Sequence, residues 1–139
     1  MQKYLSLVKF AHTIFALPFA LVGYFLAAIY FDAGFDWLDL IKVLVAMVFA
    51  RNAAMGFNRY IDRNIDAKNA RTAEREIPSG KVSVQAAGWF VIINVIAFIV
   101  TTWFINSLCF YLSFVAMAVV LGYSLTNRFT WLCHFILGL

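Results

Sequence analysis

Long apolar stretches alternate with shorter polar ones along the chain. A membrane-spanning helix needs roughly 20 mostly apolar residues to cross about 30 Å of hydrocarbon. Four stretches have or approach this length, at residues 5–30, 38–57, 84–104 and 108–125. A fifth begins near Trp131 and has covered only about half a crossing at Leu139. The pattern predicts an all-α, polytopic transmembrane bundle with four spans and the start of a fifth.

Composition points to the same class of protein. Of the 139 residues, 64% are hydrophobic and 13% are charged, whereas soluble domains are about half apolar and about a quarter charged. Cys109 and Cys133 stand far apart in apolar runs, which does not suggest a disulfide framework. We therefore expect residues 1–139 to form a single domain within a lipid bilayer.

Charge is distributed unequally over the loops and predicts an orientation. The N-terminus carries Lys3 and Lys9, and the first loop has acids but no base. The second loop, residues 59–81, is rich in Lys and Arg. By the positive-inside rule, the N-terminus and the second loop face the cytoplasm of an inner-membrane protein. The net charge of +4 reflects this topology, and we expect no nucleic-acid partner.

Polar side chains follow the second span at a helical spacing. Asn58, Asp62 and Asp66 are each four residues apart. If the helix continues, each step rotates by about 40° and rises by about 6 Å, so the three share one face. We call these three residues the ladder. Carboxylates hold a diphosphate through Mg²⁺, which usually takes one or two protein carboxylates together with waters and phosphates. Neighbouring Arg63 fits phosphate recognition.

A simpler interpretation is a helix that ends in water. Arg59, Asp62, Arg63 and Asp66 would then form solvated pairs worth about 0.2–0.5 kcal/mol each. Arg51 favours a polar cavity instead, because a charge inside a span costs about 2.5–3.5 kcal/mol on insertion scales. An ion pathway or transporter with the ladder along its wall, or a membrane scaffold without catalysis, are the alternatives from other classes.

Longer motifs carry a resemblance to a known family. The segment "RNAAMGFNRYIDRNIDAKNARTAEREIPSG" combines N-x-x-x-D-x-x-x-D with R-T-x-x-R-x-I-P-x-G. It resembles the first aspartate-rich region of the UbiA superfamily of intramembrane prenyltransferases. The stretches "VKFAHTIFALPFAL" and "YSLTNRFTWLCHFILGL" resemble its 4-hydroxybenzoate polyprenyltransferase branch. The resemblance implies nine helices in a complete protein, with this chain as its N-terminal part.

The resemblance also implies a reaction. A polyprenyl group would move from its diphosphate to a small aromatic acceptor, with Mg²⁺ as cofactor, in quinone biosynthesis. The ladder would bind Mg²⁺ and diphosphate, with Asp62, Asp66 and Arg63 in catalytic roles. Further substrate-binding positions would be Asn58, Arg71, Lys9, Tyr123 and Arg51. Another phenol, a haem or a chlorophyll-type ring are the alternative acceptors.

The chain also departs from the family pattern. No Asp follows Asp66, so a second aspartate motif is missing, and Asn127-Arg128 stands where relatives have Lys-Arg. We therefore expect this stretch alone to be inactive. Glu74 and Glu76 could reach the metal, but we expect them to be solvated loop acids beside Arg71 and Arg75.

Overall fold

Four α-helices make up the described part of the protein. The computed structural model describes residues 10–30 and 34–126, with the side chains of residues 14–30 and 34–125. The helices are α1 Phe10–Tyr30, α2 Trp37–Asp66, α3 Val84–Trp103 and α4 Ser107–Thr126. The all-α prediction is confirmed. The predicted start of a fifth span near Trp131 lies outside the described residues.

Three of the described helices are long and apolar enough to cross a membrane. They are α2, α3 and the segment Ser107–Leu125 of α4. The apolar segment Ile14–Tyr30 of α1 is shorter, so its role as a span stays a prediction. Large apolar side chains such as Phe19, Ile93 and Leu108 are exposed on these helices, which suits surfaces in contact with lipid or with further helices.

Helix α2 is longer than the span predicted for residues 38–57. Its N-cap is Asp36, whose carboxylate accepts a hydrogen bond from Leu38 N at 2.8 Å. Thirty residues extend for about 45 Å at about 1.5 Å each. The hydrocarbon core accounts for only about 30 Å. The helix therefore continues to Asp66 and carries the ladder beyond its apolar part.

Small residues let α2 and α3 approach closely. Ala53 and Ala87 are fully buried. A Cβ built on Gly56 would lie 3.1 Å from Val91 Cγ2 and 3.2 Å from Phe90 Cδ1, tighter than an ordinary contact. Small side chains at these positions let the two helix backbones approach each other, as is common in membranes. Ala53 and Gly56 therefore bring α2 close to α3 beside the ladder.

The segment between α2 and α3, residues 67–83, folds against both helices. Ile77 and Val82 are buried together with Ala87 in one apolar cluster. Gly80 has φ 73°, a conformation that favours glycine, and the turn it makes separates the segment from α3. Ser83 then caps α3 by accepting from Ala86 N at 3.2 Å. The segment, called the loop below, is thus held in a definite position over the end of α2.

Candidate functional site

The ladder lies on one continuous helix. Asn58, Asp62 and Asp66 all belong to α2, and Asp66 is its last residue. The predicted helical continuation through the motif is therefore confirmed, and with it the shared face. Asn58 and Asp62 are half-buried, whereas Asp66 is buried, with 6% of its surface exposed. Burial of a carboxylate requires a partner, because an unpaired buried charge is costly.

Asp66 finds that partner in the loop. Nη1 of Arg75 lies 2.8 Å from both carboxylate oxygens of Asp66. The Thr72 hydroxyl, also buried, donates to the backbone oxygen of Asp66 at 3.0 Å. The last turn of α2 is thus tied to the loop through both its side chain and its backbone.

A second ion pair joins the same two elements. Arg59 Nη1 donates to Glu76 Oε2 at 2.7 Å, and the two side chains are 9% and 15% exposed. The expectation that Glu76 is a solvated loop acid is wrong, whereas Glu74 is exposed as expected. The interpretation of solvated pairs within α2 is also wrong for Arg59 and Asp66. Both side chains pair with the loop because it folds back over them.

The arginines predicted to bind diphosphate lie in different settings. Arg63 Nη1 donates to the Tyr60 carbonyl at 2.6 Å, and its guanidinium carbon lies 4.8 Å from the centre of the Tyr60 ring. Arg71 is exposed. It lines a polar cavity of about 510 Å³, called the loop cavity below. The other residues lining this cavity are Arg59, Thr72, Glu74, Arg75 and Glu76. The structure thus places one predicted arginine against its own helix and the other in the loop cavity.

Arg51 lies within the membrane-spanning part of α2. Its side chain is half-buried, and its Nε is buried without a hydrogen-bond partner among the described residues. An unmatched donor at this depth suits a polar group not present in the structure, as expected for a cavity inside the membrane. Tyr123 is half-buried near the end of α4. Lys9 lies outside the described residues, so its predicted role is untested.

Reasoning from the sequence missed three site residues. Arg59, Arg75 and Glu76 line the loop cavity and take part in the two ion pairs that join α2 to the loop. Their partners stand 17 and nine positions away in the chain, separations that no helix period predicts. The signal available was the density of opposite charges in "ARTAEREIPSG", which indicates pairing without naming the partners.

The donor set of the ladder suits Mg²⁺. Two carboxylates and one amide oxygen are hard ligands, and one or two carboxylates are the usual protein share of a magnesium site. A cationic group already occupies one end of the ladder, since Arg75 contacts both oxygens of Asp66. Within the described ranges, no three His, Cys, Asp or Glu side chains are placed to hold a metal among themselves. A metal here would thus take Asn58 or non-protein oxygens as further ligands.

Comparison with known proteins shows which family the chain resembles. The model of the UbiA prenyltransferase family matches residues 16–139. The chain is 35% identical over 104 residues to a 4-hydroxybenzoate octaprenyltransferase of Aliivibrio fischeri (strain MJ11), which covers 75% of the chain and 36% of that protein. It is 35% identical over 88 residues to a protoheme IX farnesyltransferase of Bdellovibrio bacteriovorus, covering 63% of the chain and 30% of that protein.

A solved structure agrees with these matches. The apo structure of a UbiA homolog from Aeropyrum pernix K1 superposes with a TM-score of 0.82 at 34% identity. The superposition covers 92% of the chain and 45% of that structure. The chain spans about a third of the length of the curated relatives described above. Family and fold therefore agree with the motif-based resemblance.

Proposed function

The chain belongs to the UbiA prenyltransferase family, and from this premise we propose that its protein transfers a polyprenyl group from a diphosphate to an aromatic ring, with Mg²⁺ as cofactor. The observation that carries the proposal is the ladder at the end of a helix able to span the membrane, beneath a loop whose Arg75 pairs with Asp66 of the ladder. A transporter with a polar path is the less favoured alternative, because the family match is to transferases.

Each group has a task in this reaction. Asn58, Asp62 and Asp66 supply the oxygen ligands for Mg²⁺, which when bound neutralises charge on the leaving diphosphate. Arg63 and Arg71 carry positive charge near the same helix end and would grip phosphate oxygens. Stabilising charge where it develops is usually the largest catalytic term. Ionisation of the allylic C–O bond would release the diphosphate, an electron-rich ring would then attack the allylic cation, and a nearby base would remove the ring proton.

Water must be kept from the ionised prenyl group. The described helices expose large apolar and aromatic side chains over most of their length, and most charged residues of α2 lie in its C-terminal half. A bilayer location gives both the long apolar donor and the acceptor access without bulk water. We propose that Lys9, Tyr123 and Arg51 bind the substrate within the membrane. The unmatched Nε of Arg51 would donate to a polar part of the substrate.

The acceptor that we favour is 4-hydroxybenzoate or a similar phenolic acid, in quinone biosynthesis. The support is the relative named 4-hydroxybenzoate octaprenyltransferase. A porphyrin is the second candidate, because another relative is named protoheme IX farnesyltransferase. We place the N-terminus and the loop on the cytoplasmic side of the inner membrane, because the loop holds the densest Lys and Arg.

Membranes that contain the complete native protein would decide between these acceptors. A labelled polyprenyl diphosphate is supplied with 4-hydroxybenzoate or with protohaem, with and without Mg²⁺. We expect a prenylated phenol that forms only with Mg²⁺. A product formed only from protohaem would transfer the proposal to the second acceptor. Absence of product from either ring, in a well-expressed protein, would refute the transferase assignment.

A further inference from the structure

Two observations set Asp66 apart from the rest of the ladder. It is buried, and one guanidinium nitrogen of Arg75 lies within hydrogen-bond distance of both its oxygens. We propose that Arg75 is an exchangeable counter-ion. It holds the Asp66 carboxylate when no metal is bound, and it moves to the diphosphate when Mg²⁺ takes that carboxylate. The inference rests on the proposed function, since it concerns the same donor and metal.

The two partners of this pair differ in exposure, and the difference says which one moves. The side chain of Asp66 is 8% exposed and that of Arg75 is 34% exposed. Asp66 also sits on the end of α2, with its backbone oxygen bound by Thr72 at 3.0 Å. The carboxylate is therefore fixed, whereas the guanidinium stands at the end of a long, partly solvated side chain with several rotamers. Arg75 is the member that can leave.

Competition follows from the geometry. Mg²⁺ bound to Asp66 needs an oxygen that Arg75 now contacts, and two cations at one carboxylate repel each other. A buried carboxylate without a counter-charge costs free energy. A counter-ion that leaves only when the metal arrives avoids that uncompensated state. Arg75 thus positions Asp66 for the metal and at the same time opposes metal binding.

The loop cavity offers the displaced guanidinium a destination. Arg71 and Arg75 both line this cavity of about 510 Å³. Arg59 lines it too but is tied to Glu76 at 2.7 Å. Release of Arg75 from Asp66 would leave two arginines of the cavity, Arg71 and Arg75, outside the ion pairs seen among the described residues. Planar guanidinium groups bind phosphate oxygens through paired hydrogen bonds, so the exchange would convert a resting ion pair into a diphosphate clamp.

The rest of the loop does not have to move for this exchange. Ile77 and Val82 are buried against α3 in the same cluster as Ala87. The Arg59–Glu76 pair is more buried than the Asp66–Arg75 pair on its cationic side, at 9% against 34% exposure. The proposed switch is therefore a change of side-chain partner on a fixed backbone.

Two binding titrations on one variant test the exchange. The complete native protein in lipid nanodiscs is titrated first with MgCl₂ alone and then, at saturating Mg²⁺, with inorganic diphosphate. For Arg75→Gln we expect Mg²⁺ alone to bind about threefold more tightly and diphosphate to bind about tenfold more weakly, the latter corresponding to one lost hydrogen bond to a charged group. Lys81→Gln removes the same charge from an exposed position of the loop and is expected to leave both affinities within about twofold.

Opposite shifts in the two titrations separate an exchange from a structural role. If Arg75→Gln weakens both affinities, or changes neither, the exchange is overturned while the proposed function stands. A wild-type protein that binds neither Mg²⁺ nor diphosphate overturns the proposed function and this inference with it. Arg75→Lys is the second variant, which keeps the charge and loses the planar fork. It should bind Mg²⁺ alone as wild type does and diphosphate about threefold more weakly, and unchanged binding of diphosphate would also overturn the exchange.

Discussion

The ion pair between Arg59 and Glu76 gives a sharp prediction about stability. In Glu76→Gln the carboxylate 2.7 Å from Arg59 Nη1 becomes neutral, and the Arg59 side chain, 9% exposed, keeps its charge. Removing one partner of a buried pair costs about 3–5 kcal/mol. Glu76 retains 15% exposure, and a Gln oxygen can still accept one hydrogen bond, so we expect a smaller cost than this range, about 2–3 kcal/mol.

A matched control is available at the other end of α2. Asp39 and Lys42 also form an ion pair, but their side chains are 45% and 32% exposed. An exposed pair is worth about 0–1 kcal/mol, so Asp39→Asn should cost no more than that. Both variants are compared by reversible unfolding in mixed micelles with increasing dodecyl sulfate. The difference between them, rather than either absolute value, carries the prediction.

A double variant tests whether the loss of stability in Glu76→Gln comes from the unpaired charge of Arg59. Arg59→Met combined with Glu76→Leu removes both charges and keeps the volume, so it should cost less than Glu76→Gln alone. Equal losses of stability in Glu76→Gln and Asp39→Asn would refute the reasoning, because they would mean that water reaches both pairs alike. A double variant less stable than the single one would also refute it.

The remaining stability predictions concern packing and the loop. Gly56→Ala should be less stable than Gly88→Ala by about 1–3 kcal/mol, because the new Cβ would lie 3.1 Å from Val91 Cγ2 in the first case and 3.7 Å from Tyr60 Cε2 in the second. Both substitutions gain about the same helix propensity, so equal stability of the two variants in the same micelles would contradict the packing of α2 on α3. Thr72→Val should cost about 1–2 kcal/mol by losing the hydrogen bond to the Asp66 carbonyl. A neutral Thr72→Val in the same unfolding assay would show that this bond does not hold the loop.

The length of the apolar stretches and the spacing of the motif are enough to predict the helices and the ladder. The apolar stretches predict the third and fourth spans at residues 84–104 and 108–125, and the helices run from Val84 to Trp103 and from Ser107 to Thr126. In lipid, a run of roughly 20 apolar residues forms a helix, because its backbone polar groups must be hydrogen-bonded within the segment. On a helix, the four-residue spacing places Asn58, Asp62 and Asp66 on one face.

The ion pairs of the loop were beyond such reasoning. Arg59 and Asp66 had helical neighbours of opposite charge in the sequence, and pairing within the helix was a plausible alternative. The observed partners depend on the path of the loop. That path is set by the turn at Gly80, with φ 73°, and by burial of Ile77 and Val82 against Ala87. Tertiary packing of this kind decides which charges meet, and the sequence alone shows only that opposite charges are present.

The central claim is that the ladder on α2 carries the metal and diphosphate of a prenyl transfer reaction. The most direct measurement is the rate of Mg²⁺-dependent prenyl transfer by the complete native protein with Asp62→Asn, beside Asp39→Asn on the same helix. We predict that Asp62→Asn lowers the rate on the order of 10²-fold or more, as loss of a group that stabilises developing charge does. Asp39→Asn should retain the wild-type rate. Equal rates in the two variants, in well-folded protein, would contradict the claim.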